Sequence, residues 1–316
     1  MAILPMDADI LPPADDRIFK VLLTHPDAKQ VLIDVISSVI EKTVVDVHIR
    51  ANEVPAMDVD EKNQRFDVNC TIDTGEPQPN SKGEGSRFDQ VNVEMHCYKQ
   101  DEIGYEHTNF INKYVYFLTD LHSSQESTGK KYRKLVKTYQ ITFCMYNVFP
   151  SLPDYVHWFS LRTSHGYQLT DQINMVIIEL DKINKLLKKP VEKLTSFEKW
   201  SMFFRFAQEP VQRNLINDII TGKEEIGMAA ALLQEISKDE NERARLRSRR
   251  MYEMDQVSNI LTAEERGEIR EREKWQGVIA DYKTEIADYK AEIADHKVEI
   301  ADKDAEIARL KAELSR

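Results

Sequence analysis

Two segments of this chain, Arg65–Ile72 and Phe88–Tyr98, alternate apolar and polar residues with a period of two. That period belongs to a half-buried β-strand. In the first segment Phe66, Val68, Cys70 and Ile72 share one face, and Asp67, Asn69 and Thr71 share the other. In the second, Val91, Val93, Met95 and Cys97 face one way, leaving Asn92, Glu94, His96 and Tyr98 opposite. A stretch rich in Gly, Pro, Ser and Glu between Asp73 and Ser86 separates them and reads as a loop or hairpin insertion. Two neighbouring strands are therefore expected, with apolar faces on one core and acids on a shared polar face.

The flanking sequence places helices around these strands. Ile18–Leu23 and Ala28–Ile40 carry apolar residues at helical spacing, with His25-Pro26-Asp27 as the turn between them. The β-branched run Thr43–Ile49 reads as a strand, and the aromatic, amphipathic Phe110–Leu121 as a helix. Gln140–Phe149 and Asn174–Leu180 have the composition of buried strands. From Phe197 to about Glu273 the pattern is helical, with an arginine cluster over Arg243–Arg250. Strands alternating with helices predict an α/β fold, a mixed sheet flanked by helices.

Composition excludes several classes. No apolar run reaches the roughly 20 residues that a membrane span requires. Met1–Pro13 has no basic region followed by an apolar stretch, so a secretory signal is not expected. Three cysteines (Cys70, Cys97, Cys144) without metal-finger spacing point to reduced thiols and a cytoplasmic location. A formal net charge of −11 lends no support to a phosphate-gripping surface. No Gly-rich phosphate loop and no Gly-x-Ser-x-Gly elbow is present.

The shared polar face is where chemistry is expected. Asp67 and Glu94 sit on adjoining strands, and two carboxylates at one point repel unless a proton or a cation separates them. Oxygen ligands favour a hard cation such as Mg²⁺, which can polarise a phosphoryl oxygen and activate water. His96, two residues after Glu94, points the same way and could orient or deprotonate that water. Alternation alone is equally satisfied by ordinary solvent-facing residues on an antiparallel sheet. Cys70 and Cys97 read as small core residues, and His96 and Cys97 face opposite sides and so do not share an ion. The arginine cluster reads as a solvated helix face or a contact to DNA phosphates.

Several short motifs, in order, resemble the PD-(D/E)XK nuclease superfamily, and more closely the recombination-promoting nuclease (Rpn-type), transposase-like family of bacteria. Asp16-Arg17-Ile18-Phe19-Lys20 matches that family's opening Asp-x-x-Phe-Lys. Phe66-Asp67-Val68 matches its first acidic strand, and Val93-Glu94-Met95-His96 its Glu-Met-Gln strand. Gln125 through Gly129 to Tyr132, Ile177-Ile178-Glu179-Leu180 with Lys182, and Trp200 with Phe203 continue the pattern. The resemblance covers about residue 15 to about 275. It implies a restriction-endonuclease-like core, a DNA substrate, and Mg²⁺ (or Mn²⁺) held by Asp67 and Glu94 with the Met95 carbonyl as a third ligand. It also implies that Asp67, Glu94 and His96 are catalytic, and that Glu179 and Lys182 are structural. His96 stands where the family carries lysine or glutamine, Lys113 where it tends to carry arginine, and the Asp73–Ser86 insertion is long. The expected division is a flexible N-terminus over 1–14, a nuclease-like domain over 15–190, a helical region over 191–274 and a heptad coil over 275–316.

That last segment repeats in sevens. Ile279, Ile286, Ile293, Ile300, Ile307 and Leu314 fall on one heptad position, a, and Tyr282, Tyr289, His296, Lys303 and Leu310 on d. Glutamates at g (285, 292, 299, 306, 313) and lysines at e (283, 290, 297, 311) give the charge layout of a parallel coil. A homo-oligomer through these heptads is expected, set against a single solvated helix with internal Glu–Lys pairs. The leading reading is a metal-dependent DNA endonuclease of recombination or mobile elements. The alternative is a catalytically inactive nuclease-fold scaffold that oligomerises and binds DNA or a protein. A third reading makes the repeats themselves the interaction module.

Overall fold

A computed structural model describes residues 3–50, 53–54, 64–65, 67–77, 86–97, 107–125, 132 and 135–314. Phe66, Tyr98 and most of the Gln125–Tyr132 motif lie outside the described residues, as does the centre of the Asp73–Ser86 insertion. The chain forms two compact units, Met1–Arg249 and Arg250–Arg316.

The first unit is built on a mixed sheet. Helix α1 (Asp16–Thr24) is capped by Asp15, whose side chain accepts from Arg17 N (3.1 Å) and Ile18 N (3.2 Å). It leads through a turn at Pro26–Ala28 into α2 (Lys29–Ile40). Strands β1 (Asp46–Ile49), β4 (Val68–Pro77), β5 (Ser86–His96), β6 (Thr138–Cys144), β7 (Val156–Ser160) and β8 (Ile173–Glu179) form one sheet in the order β1-β4-β5-β6-β8-β7. A separate pair, β2 (Glu53–Val54) and β3 (Gln64–Arg65), is antiparallel. Within the large sheet β5, β6 and β8 run parallel, and β1, β4 and β7 pair antiparallel with their neighbours. Parallel neighbours require a crossover, and α3 (His107–Ser123) lies between β5 and β6 in the chain.

Both faces of the sheet are covered, which accounts for the apolar content of its middle strands. On one face Val68, Cys70, Ile72, Val91 and Val93 are wholly buried in a core shared with α1, α2, α4 (Ser196–Phe206), α5 (Arg213–Thr221) and α6 (Glu224–Lys238). On the other, Phe110, Tyr114, Phe117 and Leu118 of α3 pack against Cys144, Val148, Met175 and Ile177. The polar face of β5 is therefore not solvent-facing: Asn92 is fully buried and Glu94 only 3% exposed beneath that layer.

Several expectations shift by a few residues for identifiable reasons. The strand read over Gln140–Phe149 ends at Cys144, because the amides of Val148 and Phe149 turn to the buried carboxylate of Glu179. Strand β7 escapes a pattern search because it is an edge strand with only His157 buried. The N-terminal lead-in, expected to be flexible, is docked: Leu4 is fully buried and exchanges hydrogen bonds with Asn217 (2.9 and 3.0 Å). The arginine cluster proves to be a fastening. In the first turns of α7 (Glu240–Leu314) Arg249 makes a bidentate pair with Asp16, Arg243 holds Asp9, and Glu242 receives both Arg17 (2.8 and 2.9 Å) and Arg245 (2.8 Å). These contacts extend the first unit to Arg249, whereas composition changes only near residue 275. No helix among the described residues is long and apolar enough to cross a membrane.

Glu179 is the structural hub of the far end of the sheet. Fully buried, it accepts from Phe149 N (2.8 Å), Val148 N, His157 Nε2 (2.7 Å) and Lys182 Nζ. Burial pushes its carboxyl up, but Lys182, the Phe149 amide and His157 outweigh it and hold the group below its ordinary range. Glu179→Ala removes the one carboxylate shared by two amides, His157 and the Lys182 ammonium, so a loss of about 3–5 kcal/mol is expected. Urea unfolding measures it, and a loss well under about 1 kcal/mol would show the hub to be dispensable.

Candidate active site

The register of β4 and β5 sets the site. Val68 is paired with Val93, so one residue outward Asp67 comes opposite Glu94, on the same side of the sheet. Asp67 N donates to Glu94 Oε1 (3.1 Å), and Asp67 Oδ2 accepts from Met95 N (3.0 Å). Each predicted acid is thus held by a backbone amide of the opposite strand, Glu94 by Asp67 N and Asp67 by Met95 N.

Asn92, on the same strand, orients Glu94 and is itself backed by side chains of β6. Asn92 Nδ2 donates to Glu94 Oε1 (2.9 Å) and to Gln140 Oε1 (2.9 Å), and Gln140 Nε2 donates to Thr142 Oγ1 (3.2 Å). Parallel pairing of β5 with β6 sets Asn92 against Gln140 and Glu94 against Thr142. This buried amide relay was not singled out in the sequence, though Asn92-x-Glu94-x-His96 shares one strand face.

Electrostatics here run against ionisation. Burial first, and the charge of Glu94 second, push the Asp67 carboxyl up to about 8. Burial also raises Glu94, against Lys113, Asn92 and the Asp67 amide, which hold it down. Lys113, on α3, favours the charged form of both acids, and its ammonium lies 4.9 Å from the centre of the Tyr114 ring. The Tyr114 hydroxyl is buried and has no hydrogen-bond partner among the described residues. Burial and the nearby charges of Glu94 and Asp67 push that phenol well above its ordinary range.

His96 sits on the same face, half-buried. Its Nδ1 lies 3.1 Å from Tyr146 Oη, and its ring meets Phe110 (5.2 Å) and Tyr146 (5.6 Å) edge to face. Tyr146 falls two residues past the end of β6 and carried no signal in the sequence. Of the thiols, Cys70 is buried in the opposite core, Cys144 is buried beside Phe110 and Tyr114, and Cys97 Sγ donates to the Ala14 carbonyl (2.7 Å).

The mixed six-strand sheet with helices on both faces is consistent with a family model. The model described as PD-(D/E)XK nuclease family transposase matches residues 13–263. The chain belongs to this family. Compared with curated proteins and with solved structures, it finds no significant match. The motif residues Asp16, Asp67, Glu94, Glu179 and Trp200 all fall within the matched span of this nuclease family, and the heptads beyond residue 275 fall outside it.

The residues present fit a divalent cation. Two carboxylates held together under an apolar layer, both raised toward the neutral form, form an acidic pair that a hard cation would relieve. Among the described residues no group of three or more His, Cys, Asp or Glu side chains gathers to hold an ion. A cation here would rest on the two carboxylates and a backbone oxygen.

Proposed function

We propose that this member of the PD-(D/E)XK nuclease family transposases is a metal-dependent DNA endonuclease that hydrolyses phosphodiester bonds in mobile-element or recombination biology. The observation that carries the reading is the Asp67–Glu94 pair, brought together by strand register, with Glu94 buried, Asp67 half-buried and both carboxyls raised. Such perturbed pairs are a mark of functional sites.

Asp67 and Glu94, with the Met95 carbonyl, would hold Mg²⁺ or Mn²⁺. When bound, the ion supplies Lewis acidity toward a phosphoryl oxygen and lowers the pKa of a nearby water. The remaining work falls to the chain. Asn92 fixes the rotamer of Glu94 from within the sheet. Lys113 contributes positive charge close to both acids, where residue 96 is not a lysine. For His96 to take a proton from the attacking water, its own proton must sit on Nδ1 and be donated to Tyr146 Oη, leaving Nε2 as acceptor.

One observation favours the second reading, an inactive scaffold: His96 is engaged by Tyr146 and enclosed by the rings of Phe110 and Tyr146, a packing role that needs no catalysis. Nicking of supercoiled plasmid by the wild-type chain, with Mg²⁺ or Mn²⁺ and with chelator, tests the proposal. Cutting only with metal supports the endonuclease. A folded chain that neither cuts nor binds Mn²⁺ by calorimetry would be a scaffold.

A further inference from the structure

The second unit is helical and carries a row of exposed isoleucines. Along the a positions Ile279, Ile286, Ile293, Ile300 and Ile307 are 50%, 51%, 53%, 58% and 48% exposed. An isoleucine repeated every seven residues for four turns of the repeat is costly to leave in water, and two helices that meet along it bury it.

The charges say what meets it. On a single helix, side chains interact at spacings of three and four. Around Glu285 those neighbours are Asp281, Tyr282, Asp288 and Tyr289, and around Glu292 they are Asp288, Tyr289, Asp295 and His296. Neither glutamate has a lysine or arginine within reach, and each stands four residues from an aspartate, a repulsive spacing. Lys283, Lys290 and Lys297 have only isoleucine and alanine at those spacings. Ion pairs within this part of the helix occur further on, among them Glu299 with Lys303 (3.1 Å) and with His296 (3.7 Å), and Arg309 with Glu313 (3.7 Å). Internal Glu–Lys pairing therefore does not account for the charge pattern of 281–297.

We propose that this helix pairs with a second copy of itself, parallel and in register, through a two-stranded coiled coil over 275–314. In that arrangement g of one chain meets e of the next heptad in the other. Glu285 then meets Lys290 and Glu292 meets Lys297, each pair occurring twice by symmetry, and Glu306 meets Lys311. An antiparallel arrangement would instead set g against g and e against e, acid on acid and lysine on lysine. The pattern thus selects both the partner and its direction. Glu299 facing Asp304 is the one mismatched g–e contact, and it adjoins the polar d layers His296 and Lys303. Pairing is weakest there and tightest on the N-terminal side.

The test uses the full chain. Sedimentation velocity is expected to give the mass of two chains. Tyr282→Cys and Leu310→Cys place a thiol at each end of the d seam, and on oxidation each variant is expected to cross-link with itself. A mixture of size-tagged Tyr282→Cys with Leu310→Cys should give no mixed band. The wild type, with Cys70 and Cys144 buried and Cys97 half-buried, is the background control. Lys290→Glu with Lys297→Glu is expected to weaken association by about 10-fold or more, since four exposed pairs turn repulsive. Adding Glu285→Lys and Glu292→Lys to the same chain restores the cross-chain pairs and should restore association. A mass of one chain, a mixed-band cross-link, or charge reversal without effect would each overturn the proposal.

Discussion

Asp67→Ala and Glu94→Ala are each expected to remove metal-dependent nicking by about 10²–10⁴-fold, the several kcal/mol that a bound cation contributes to a phosphoryl transition state. The two losses should not add. The Asp67 amide holds the Glu94 carboxylate and the Met95 amide holds that of Asp67, and either truncation removes half of one two-carboxylate site, so the double variant should be no worse than the more damaging single one. Misfolding is not a rival explanation if circular dichroism is unchanged. His96→Ala provides the contrast. If His96 handles the proton of the attacking water, nicking falls by about 10²–10⁴-fold while Mn²⁺ affinity stays as in the wild type. Nicking that survives both acid substitutions would sink the site assignment, whatever its metal requirement.

Much of this site is legible in the sequence because a strand is a simple ruler. The period of two in 65–72 and 88–98 sorts Val68, Cys70, Val91 and Val93 onto one face and Glu94 and His96 onto the other, and the sheet places them so. What alternation does not encode is what lies over a face. Asn92 and Glu94 read equally well as solvated, and only the α3 crossover, with Phe110, Tyr114 and Phe117 set over the strands, buries them and raises their acids. The relay through Gln140 and the contact of Tyr146 with His96 are equally hidden, since each joins residues about 50 positions apart. Contacts of that kind depend on strand order, and the parallel pairing of β5 with β6 is a tertiary fact. The arginine cluster makes the same point in reverse: its composition suggests solvent or phosphate, while its partners are Asp9 and Asp16 from the far end of the chain.

Without divalent cation, Asp67→Asn is expected to stabilise the protein at neutral pH and to flatten part of its pH dependence. An aspartate ordinarily ionises near 3.8, and here burial and the charge of Glu94 push the carboxyl up to about 8. Between those values the folded chain keeps a proton that the unfolded chain has released. Stability from this group is therefore fully present below about pH 4 and is lost as pH rises through about 8. Asparagine keeps an uncharged, similarly shaped group and carries no such penalty, so the variant should melt a few degrees higher near pH 8, at about 2–4 °C per kcal/mol for a unit of this size. On the proposed reading divalent cation reverses the sign. It would bind the ionised pair, release protons and gain affinity with pH over the same window, so Mn²⁺ should raise the wild-type melting temperature more at about pH 8.5 than at about pH 6. The quantity to plot is the difference between wild type and Asp67→Asn. Glu179 and Glu198, whose carboxyls are held below their ordinary range and so lend stability that is lost toward acid, cancel in that difference. A difference that stays flat from about pH 5 to about pH 9, with and without Mn²⁺, would mean that Asp67 is already ionised in the folded chain and satisfied by some other group. The acidic pair would then have no call for a cation, and the argument for a metal at the end of β4 and β5 would fail with it.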